Sequence, residues 1–402
     1  MHVVIVHYSE LVPRDDGFFL TRYAATAEHL ISTGHRVTRL YPSFSHRGRL
    51  QRDHPMRWSD SQYGDFVMIR TTGYRLSRGY SRLRFLSQFK KGVLRELHQL
   101  NPEVVLLGLP QPGLAAAVAR LDLRQLCVGL DVRDLWPDAQ LASSTGLQKL
   151  MMLAYAPVIR RRVRKDLAAA DFIVAISEQY RKWAMNIDHG SNSLIDRTVV
   201  IPLGSPPVPE VGDAGIARRG VVFAGSISAH FDFELLLDAW ELLSLRRPDL
   251  VETHPLTIIG GGAGARRLYE RSHNLMHVDV LGYLSYEDTL RTMVASAVGV
   301  APYSKHAKMG LPNKLFEYLG SGLPVISTLG GEAHDLIVEE VVGLSVPNAT
   351  SQDLSTSIEQ LLDHDVCREQ MASRGLALVR TKYERRALGR QLGSFLINRG
   401  RL

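Results

Sequence analysis

The chain of 402 residues is poor in cysteine and has no long apolar run. Its two cysteines, Cys127 and Cys367, lie in different halves and match no metal-binding or redox spacing, which favours a reducing compartment. No stretch of 18 apolar residues is present, so no spanning helix is predicted. The first ten residues, MHVVIVHYSE, have too short an apolar run and no basic flank for a signal peptide. A cytoplasmic location is the simplest expectation.

Acidic residues are scarce in the first half. Residues 1–200 hold 28 Lys and Arg against 18 Asp and Glu, a balance of +10, whereas residues 201–402 have a balance of −3. Residues 66–95 contain eight basic side chains, five aromatics and no acid, and the run IRRRVRKD at 159–166 adds five more basics on an expected helix. The basic half therefore predicts a surface that meets something acidic.

Basic and aromatic residues interleaved in this way are typical of stretches that lie among the headgroups of anionic bilayers. The predicted membrane-contacting residues are Arg75, Arg78, Arg82, Arg84, Phe85, Lys90 and Lys91. A solvated basic face is the alternative. Nucleic acid is not expected as a partner, because no nucleic-acid-reading motif accompanies the charge.

Short runs rich in Val, Ile and Leu alternate with amphipathic stretches along the whole chain. The predicted strands are HVVIVH, RVTRLY, FVMIR, EVVLLG, LCVGLD and FIVAIS, then GVVFAG, PLTIIG, HVDVLG, AVGVAP and PVIST. Helices are predicted between most of them, for example over 22–33 and 233–245. This alternation predicts an α/β fold of parallel sheets covered by helices on both faces.

One segment interrupts the alternation. Residues 201–220 contain four prolines and four glycines, which predicts a linker between two doubly wound, Rossmann-like domains facing across a cleft. We place the domains at 1–200 and 201–384. The ligand of such an arrangement is expected where the carboxyl ends of the strands meet.

The stretch KMGLPNKLFEYLGSGLPVI, at 308–326, combines a helix start with two ionisable groups. Pro312 can occupy the first turn of a helix, and free N–H groups near 313–315 then form an anion site to which Lys314 adds a charge. Glu317 lies about one turn further and could accept hydrogen bonds from sugar hydroxyls. The pattern fits a nucleotide-diphosphate site, and an ordinary capped helix explains it equally well.

Glycines follow several predicted strands. Gly225 with Ser226, and Gly260 to Gly264, come after the first two strands of the second half, and Gly17 precedes the first helix. Such glycines let a backbone approach a phosphate, although a bare tight turn is the commoner explanation.

LDVRDLWPD also follows a strand, which places Asp131, Arg133 and Asp134 at a carboxyl strand end. They could orient an acceptor hydroxyl or stabilise a departing group, and a salt-bridged loop is the even alternative. No metal is predicted, because the histidines, among them His7, are scattered without ligand spacing.

GLPNKLFEYLGSGLPVIST, GLDVRDLWPD, AISE and AGSISAHFDFELLLDAW together resemble glycosyltransferase family four over nearly the whole chain. Members that build bacterial surface polysaccharides, including fucosamine-type transferases, are the most similar. The resemblance implies the GT-B fold, a C-terminal helix at about 385–402 that packs back on the first domain, and a nucleotide-sugar donor held mainly by the second domain. It also implies retention of anomeric configuration without a metal or other cofactor.

Carried over by position, Glu317 matches the second glutamate of the family signature, expected on the donor ribose. Met309 stands where the first glutamate is expected, and residues 226–230 contain no Arg or Lys where many members have a basic pair. Lys314 is the candidate for the missing charge. The donor-binding residues predicted are Gly17, Gly225, Ser226, Gly261, Gly282, Tyr283, Gly310, Leu311, Pro312, Asn313, Lys314, Leu315 and Glu317.

The resemblance thus implies a hexosyltransferase that uses a UDP-linked donor and a lipid-linked acceptor at the inner face of the cell membrane. A nucleotide-sugar epimerase and a non-catalytic binding subunit of the same fold remain the alternatives. The donor sugar, the acceptor, the linkage and the oligomeric state are left open.

Overall fold

A computed structural model of the chain describes residues 1–46, 48–74, 80–123, 125–142, 144, 146–188, 192–207 and 218–401. The chain divides into two compact units, Met1–Pro202 together with Arg385–Leu402, and Leu203–Glu384. Ten residues of the predicted linker, 208–217, lie outside the described part. Among the described helices, none combines the length and the apolar character that crossing a bilayer requires.

The first unit is built on an eight-stranded sheet. The described strands of this unit are β1 (His2–Val6), β2 (Arg36–Pro42), β3 (Phe44–Ser45), β4 (Leu50–Gln51), β5 (Arg57–Asp60), β6 (Gly64–Ile69), β7 (Val104–Gly108), β8 (Cys127–Val132), β9 (Phe172–Ala175) and β10 (Thr198–Val200). Strands β3 and β4 pair with each other in a separate two-stranded sheet. Its described helices are α1 (Arg22–Ser32), α2 (Tyr80–Leu100), α3 (Ala115–Val118), α4 (Asp138–Ala142), α5 (Gly146–Ala169), α6 (Glu178–Ile187) and α7 (Asn192–Asp196). The sheet order is β10-β9-β8-β7-β1-β2-β6-β5, with only the β5–β6 pair antiparallel among these neighbours.

The second unit has a six-stranded parallel sheet. Its strands are β11 (Val221–Ala224), β12 (Leu256–Ile259), β13 (Val278–Gly282), β14 (Val298–Ala301), β15 (Val325–Ser327) and β16 (Gly343–Ser345), in the order β13-β12-β11-β14-β15-β16. The helices are α8 (Phe233–Arg246), α9 (Pro248–Thr253), α10 (Ala265–Ser272), α11 (Tyr286–Ala295), α12 (Asn313–Gly320), α13 (Glu332–Glu339), α14 (Ser351–Asp363) and α15 (Asp365–Leu378), followed by a π-helical turn at Val379–Tyr383. Helix α16 (Arg385–Arg399) belongs to the first unit.

Strand burial explains why these sequences form parallel sheets. All five residues of β1, HVVIV, are buried, and so are all four residues of β11, VVFA. Continuous apolar runs of this kind fit strands that are covered by helices on both faces. The predicted α/β class with doubly wound, Rossmann-like sheets is confirmed.

Helix α16 packs closely on α1 because it presents glycine at the contact. A Cβ placed on Gly389 would lie 2.6 Å from the Cβ of Ala25, and one on Gly393 would lie 2.6 Å from the ring of His29. Leu388, Leu392 and Leu396 of α16 join the core cluster of the first unit. The C-terminal helix is thus part of that core.

Each sheet has a point at which the strand order reverses. In the first unit this point lies between β1 and β7, and in the second it lies between β11 and β14. Open α/β sheets bind ligands outside the carboxyl ends of the strands at such a point. The side chains that follow β1, β7, β8, β11 and β14 are therefore the first to consider.

Candidate functional site

Helix α12 follows β14 in the second unit and is clamped to the point where the strand order reverses. The Tyr318 hydroxyl donates a hydrogen bond to the Val300 carbonyl at 3.1 Å and accepts one from the Ala224 N–H at 3.0 Å. Tyr318 therefore ties α12 to β11 and β14 together. The sequence analysis missed this positioning role, which an aromatic residue in a short helix does not reveal.

Lys314 is buried on the same helix, one turn before Tyr318. Its ammonium donates a hydrogen bond to the Ala224 carbonyl at the end of β11 and lies 4.1 Å from the centroid of the Phe223 ring. Burial lowers the pKa of Lys314 to about 8, and the nearby Glu317 carboxylate opposes this shift. A Cβ built on Gly225 would lie only 2.4 Å from Nζ. The predicted cation is thus held directly beneath the Gly225 loop.

Glu317 is half-buried on α12, and its carboxylate makes no hydrogen bond to any other described residue. An unpaired carboxylate beside a buried lysine is available to a ligand with hydroxyl groups. Its position at the reversal point agrees with the role predicted for it, which stays a prediction.

The loops after β11 and β12 pack backbone against backbone through glycine. A Cβ on Gly260 would lie 1.8 Å from the Gly225 carbonyl oxygen, and one on Gly262 would lie 2.2 Å from that of Ile227. Both glycines have positive φ, 139° and 153°, where other residues are strained. A side chain at Gly261 would meet no atom within 4 Å, so the backbone there is open to a ligand.

The other predicted donor-binding residues of this unit divide into exposed and buried sets. Ser226 is exposed, and Gly282 ends β13 with its carbonyl accepting from the Gly260 N–H at 2.7 Å. Tyr283 is 72% exposed, which leaves its ring free to meet a ligand.

Around the start of α12, Gly310 is buried, Pro312 is the N-cap and Asn313 is exposed. Leu311 and Leu315 pack in an apolar core cluster, so their side chains support α12 rather than contact a donor. The Leu315 N–H donates to the Pro312 carbonyl at 3.1 Å. The predicted anion site therefore loses this donor.

In the first unit, Asp131 forms a buried ion pair with Arg22. Its fully buried carboxylate accepts hydrogen bonds from Arg22 Nε at 3.2 Å and from the Tyr23 hydroxyl at 2.8 Å. Buried carboxylates need such partners, because desolvation penalises the charge. The prediction that Asp131 orients an acceptor is wrong in this structure: the residue anchors α1 to β8.

Arg133 and Asp134 keep some exposure at the same strand end. Arg133 forms an ion pair with Glu10, and its guanidinium lies 4.9 Å from the centroid of the Tyr23 ring. Burial raises the pKa of Asp134 to about 6, against the opposing Leu135 N–H and Arg82. Asp134 is therefore the member of the predicted catalytic set that titrates close to neutral pH.

Glu10 and Arg39, which the sequence analysis did not select, complete a buried charge cluster beside Arg133. Arg39 lies 3.7 Å from the Glu10 carboxylate and 3.2 Å from His7 Nε2, while two of its own guanidinium nitrogens have no hydrogen-bond partner. Burial lowers the pKa of His7 well below its usual 6.5 and that of Arg39 to about 10. The available signal was the second arginine of RVTRLY, Arg39, which lies in the middle of the predicted strand.

Gly17 lies in the β1–α1 loop with a φ of 68°, and a side chain there would meet no atom within 4 Å. The loop is held by Asp15, which pairs with Arg52 at 2.6 Å and accepts from the Val12 N–H at 2.9 Å. The role of Gly17 on a phosphate stays a prediction.

The predicted membrane-contacting residues are only partly exposed. Phe85 is fully buried, and buried Arg82 donates to the Tyr74 hydroxyl at 2.9 Å, so the predictions for these two are wrong. The amphipathic face of α2 turns them into the core. Arg84 and Lys91 are exposed and Lys90 is half-buried. Arg75 and Arg78 lie outside the described residues.

In the described part of the chain, no cluster of three His, Cys, Asp or Glu residues is placed to hold a metal.

Part of the second unit matches a known protein family. Residues 218–364, which include Gly225, Lys314 and Glu317, match the family described as Glycosyl transferases group 1. An alpha-D-kanosaminyltransferase of Streptomyces kanamyceticus is 26% identical over 184 residues, 44% of this chain and 44% of that protein. The match thus spans less than half the length of that relative.

Solved structures resemble the chain over almost its full length. A sucrose-phosphate synthase from Thermosynechococcus elongatus has a TM-score of 0.74 at 17% identity, covering 99% of this chain and 98% of that one. WaaG, a glycosyltransferase involved in lipopolysaccharide biosynthesis, has a TM-score of 0.69 at 14% identity, covering 98% and 99%. HepE of Anabaena in complex with UDP-glucose has a TM-score of 0.66 at 13% identity, covering 99% and 100%.

These findings confirm the predicted GT-B fold and support the prediction of a glycosyltransferase. The narrower resemblance to family four and to fucosamine-type transferases stays a prediction. The region 218–364 thus matches the family Glycosyl transferases group 1, in a chain whose structural neighbours are GT-B glycosyltransferases.

Proposed function

We propose that the chain is a retaining, metal-independent glycosyltransferase of bacterial surface polysaccharide biosynthesis. It moves a hexose or N-acetylhexosamine from a UDP-sugar to a lipid-linked acceptor. The observation that carries the proposal is helix α12, which Tyr318 and Lys314 fix to the strand ends while the Glu317 carboxylate stays unpaired. The family match over the same residues supports it.

In this proposal the donor diphosphate lies over the backbone of the Gly225 and Gly261 loops. Lys314 supplies positive charge from beneath the Gly225 loop, and Glu317 accepts hydrogen bonds from the ribose. A neighbouring diphosphate favours the charged form of a lysine whose pKa is lowered to about 8. Donor binding near pH 8 is therefore accompanied by proton uptake at Lys314.

UDP is the proposed nucleotide because HepE of Anabaena, a protein of similar fold, has been solved with UDP and with UDP-glucose. The departing phosphate takes the acceptor proton, so the reaction needs no dedicated general base. Asp134, with its pKa raised to about 6, is ionised at neutral pH and orients the acceptor hydroxyl.

Association with the inner membrane surface is part of the proposal. Exposed Arg84 and Lys91 on α2 supply the cationic surface. Each basic residue close to an anionic leaflet contributes about 1 kcal/mol of binding free energy.

A non-catalytic binding subunit is the second candidate, favoured by Met309. This residue packs against an apolar core cluster where the family has a carboxylate, and the 226–230 loop has no Arg or Lys. An epimerase is the third candidate, and it has no use for a membrane-facing surface.

The test is a calorimetric titration with UDP, GDP and the UDP- and GDP-linked sugars. We expect UDP to bind and one UDP-sugar to bind more tightly, after which that donor is used in an acceptor screen. Absence of binding at millimolar ligand would contradict the proposal and favour the non-catalytic subunit. Conversion of the bound UDP-sugar to its epimer without an acceptor would favour the epimerase.

A further inference from the structure

A pocket of about 570 Å³ lies in the first unit between α2, α5 and the segment after β7. Cavities of this size are typical of small-ligand sites. All of the residues that line the pocket belong to the first unit. From sequence, Lys90 is predicted to contact a membrane and the run at 159–166 to be part of a basic surface, but no small-ligand pocket is predicted there.

The pocket is lined by four cations and no acid. Lys90 comes from α2, Arg120 follows α3, and Arg162 and Lys165 come from α5. Within the described residues, none of the last three forms an ion pair. A cleft with one sign of charge concentrates ligands of the opposite sign.

Asp166, an acid on the same helix as Arg162 and Lys165, does not line the pocket and already has hydrogen-bond partners. The fully buried Asp166 carboxylate accepts hydrogen bonds from the Gly113 N–H at 2.5 Å and the Ala116 N–H at 2.9 Å. Lys90 donates to the Gly113 carbonyl, which fixes the same loop. Asp166 therefore shapes the wall and leaves the surface charge of the pocket positive.

Two lining side chains carry buried polar atoms without partners. Both amide atoms of Gln111, a residue only 7% exposed, lack a hydrogen bond, and so does the indole nitrogen of Trp136. Buried polar groups in folded proteins are nearly always hydrogen-bonded, so unsatisfied ones mark a place where a water or a ligand can bind. The donors among them suit phosphate or sugar oxygens.

One wall of the pocket is apolar and continues onto an exposed surface. Leu83 of α2 is 47% exposed and Tyr155 of α5 is 40% exposed, although both line the pocket. The apolar exposure continues along α5 at Leu150, Leu153 and Val158. A phosphate alone would use only the cations, whereas a ligand with an alkyl chain would use both walls.

We propose that this pocket binds the phosphate or diphosphate group of an amphiphilic acceptor. The anionic group lies among Lys90, Arg120, Arg162 and Lys165, and the alkyl chain leaves over Leu83 and Tyr155. The assignment of this amphiphile as the acceptor rests on the proposed function. The binding step is non-covalent and needs no co-reactant.

The test uses dodecyl phosphate below its micelle concentration as the probe. We expect saturable binding with one site, at least tenfold tighter than that of inorganic phosphate or of dodecyl maltoside. Arg162→Glu should weaken binding of dodecyl phosphate about tenfold, since it reverses one charge in the pocket. Arg161→Glu is the matched control, because Arg161 is exposed on the same helix but does not line the pocket.

A second variant blocks the pocket without changing charge. Ala117 lines the pocket and is half-buried, so Ala117→Phe should abolish binding of dodecyl phosphate while UDP binding stays unchanged. Equal affinities in Arg162→Glu and Arg161→Glu, or full binding by Ala117→Phe, would overturn the pocket assignment.

Two further experiments distinguish a specific acceptor from a general phospholipid headgroup, and failure of the pocket assignment from failure of the proposed function. If vesicles of anionic phospholipid displace dodecyl phosphate as well as the soluble probe itself does, the pocket is a general headgroup site and the acceptor assignment is overturned. If they do not, the acceptor assignment is supported. If UDP binds neither wild type nor the variants while dodecyl phosphate still binds, the proposed function is refuted and the pocket remains a binding site. The two outcomes are separable because dodecyl phosphate binding reports on the first unit and UDP binding on the second.

Discussion

The two strand-end regions of the chain use their charged residues in opposite ways. In the first unit, Asp131, Arg22, Glu10 and Arg39 are buried and directed at one another, and only Arg133 among the cluster keeps partial exposure. In the second unit the strand ends offer mostly glycine backbone, with one buried cation and the unpaired carboxylate of Glu317.

This difference separates structural charge from binding charge. A buried ion pair is satisfied within the protein, so removing either partner leaves the other uncompensated. A carboxylate without a partner, or a buried cation that forms no ion pair and lies beside an open backbone, keeps a charge that a ligand can neutralise. The sign of the charge does not distinguish these roles, whereas the partners do.

The largest effect is expected at the buried ion pair between Arg22 and Asp131. Asp131→Ala leaves Arg22 without its carboxylate and should lower the free energy of unfolding by about 3–5 kcal/mol, measured by urea denaturation. Asp65→Ala is the matched control, since Asp65 pairs with Arg36 on the surface and should cost about 0–1 kcal/mol. Equal losses for both variants would contradict the contrast.

Replacing the buried cation should affect binding instead of folding. Lys314→Met keeps the side-chain volume among the aromatic rings and should weaken UDP binding about tenfold, as one lost charge contact. Because the folded-state pKa of about 8 lies below the usual 10.5, the charge destabilises the fold at neutral pH. The variant should therefore be at least as stable as wild type below pH 8, with any gain fading towards pH 10.5.

Lys308→Met serves as the control for this variant, because Lys308 is exposed just before α12. Unchanged UDP affinity in Lys314→Met, with Lys308→Met behaving alike, would show that the buried charge has no part in donor binding.

Asp134 provides a test within the first unit, because its carboxylate keeps some exposure whereas that of Asp131 is fully buried. The transfer rate of wild type should fall several-fold as the pH is lowered through about 6, where the carboxylate takes up a proton. Asp134→Asn should lose that pH dependence. It should also be more stable than wild type at pH 7, because the raised pKa means that ionisation opposes folding, and this gain should vanish below about pH 4. A wild-type acid limb retained in the variant would exclude Asp134 as its origin.

The smallest effect is expected at the surface. Arg84→Glu with Lys91→Glu should weaken binding to anionic vesicles a few-fold, because exposed charges act through screened interactions. Arg374→Glu with Arg380→Glu makes the same charge change on exposed positions of the second unit. Equal weakening by both pairs in a vesicle sedimentation assay would mean that net charge alone is responsible.

Much of the fold could be predicted from local sequence. The helices predicted at 22–33 and 233–245 are observed at Arg22–Ser32 and Phe233–Arg246, and each begins after a side chain that caps it, Thr21 and Asp232. The missed strands are short and partly exposed, such as β5 with its alternating exposed and half-buried residues and β10 with three half-buried residues. Their pairing depends on neighbours and not on their own composition.

The site was predictable only where it is local. The Lys314 and Glu317 spacing and the glycines can be read along the chain. The contact of Lys314 with Ala224 spans 90 residues and that of Arg22 with Asp131 spans 109. Pairings over such distances arise from the sheet order, so the sequence suggested Asp131 for catalysis and left Glu10 and Arg39 unnoticed.

The most direct test of the donor site is a calorimetric titration of UDP into wild type, Glu317→Ala and Glu339→Ala. Glu339 is exposed in the same unit and controls for the loss of one carboxylate. The account predicts that Glu317→Ala weakens UDP binding at least tenfold, since two ribose hydroxyls lose a charged acceptor, while Glu339→Ala binds as wild type does. Equal UDP affinity in all three proteins would contradict the assignment of α12 as the donor site.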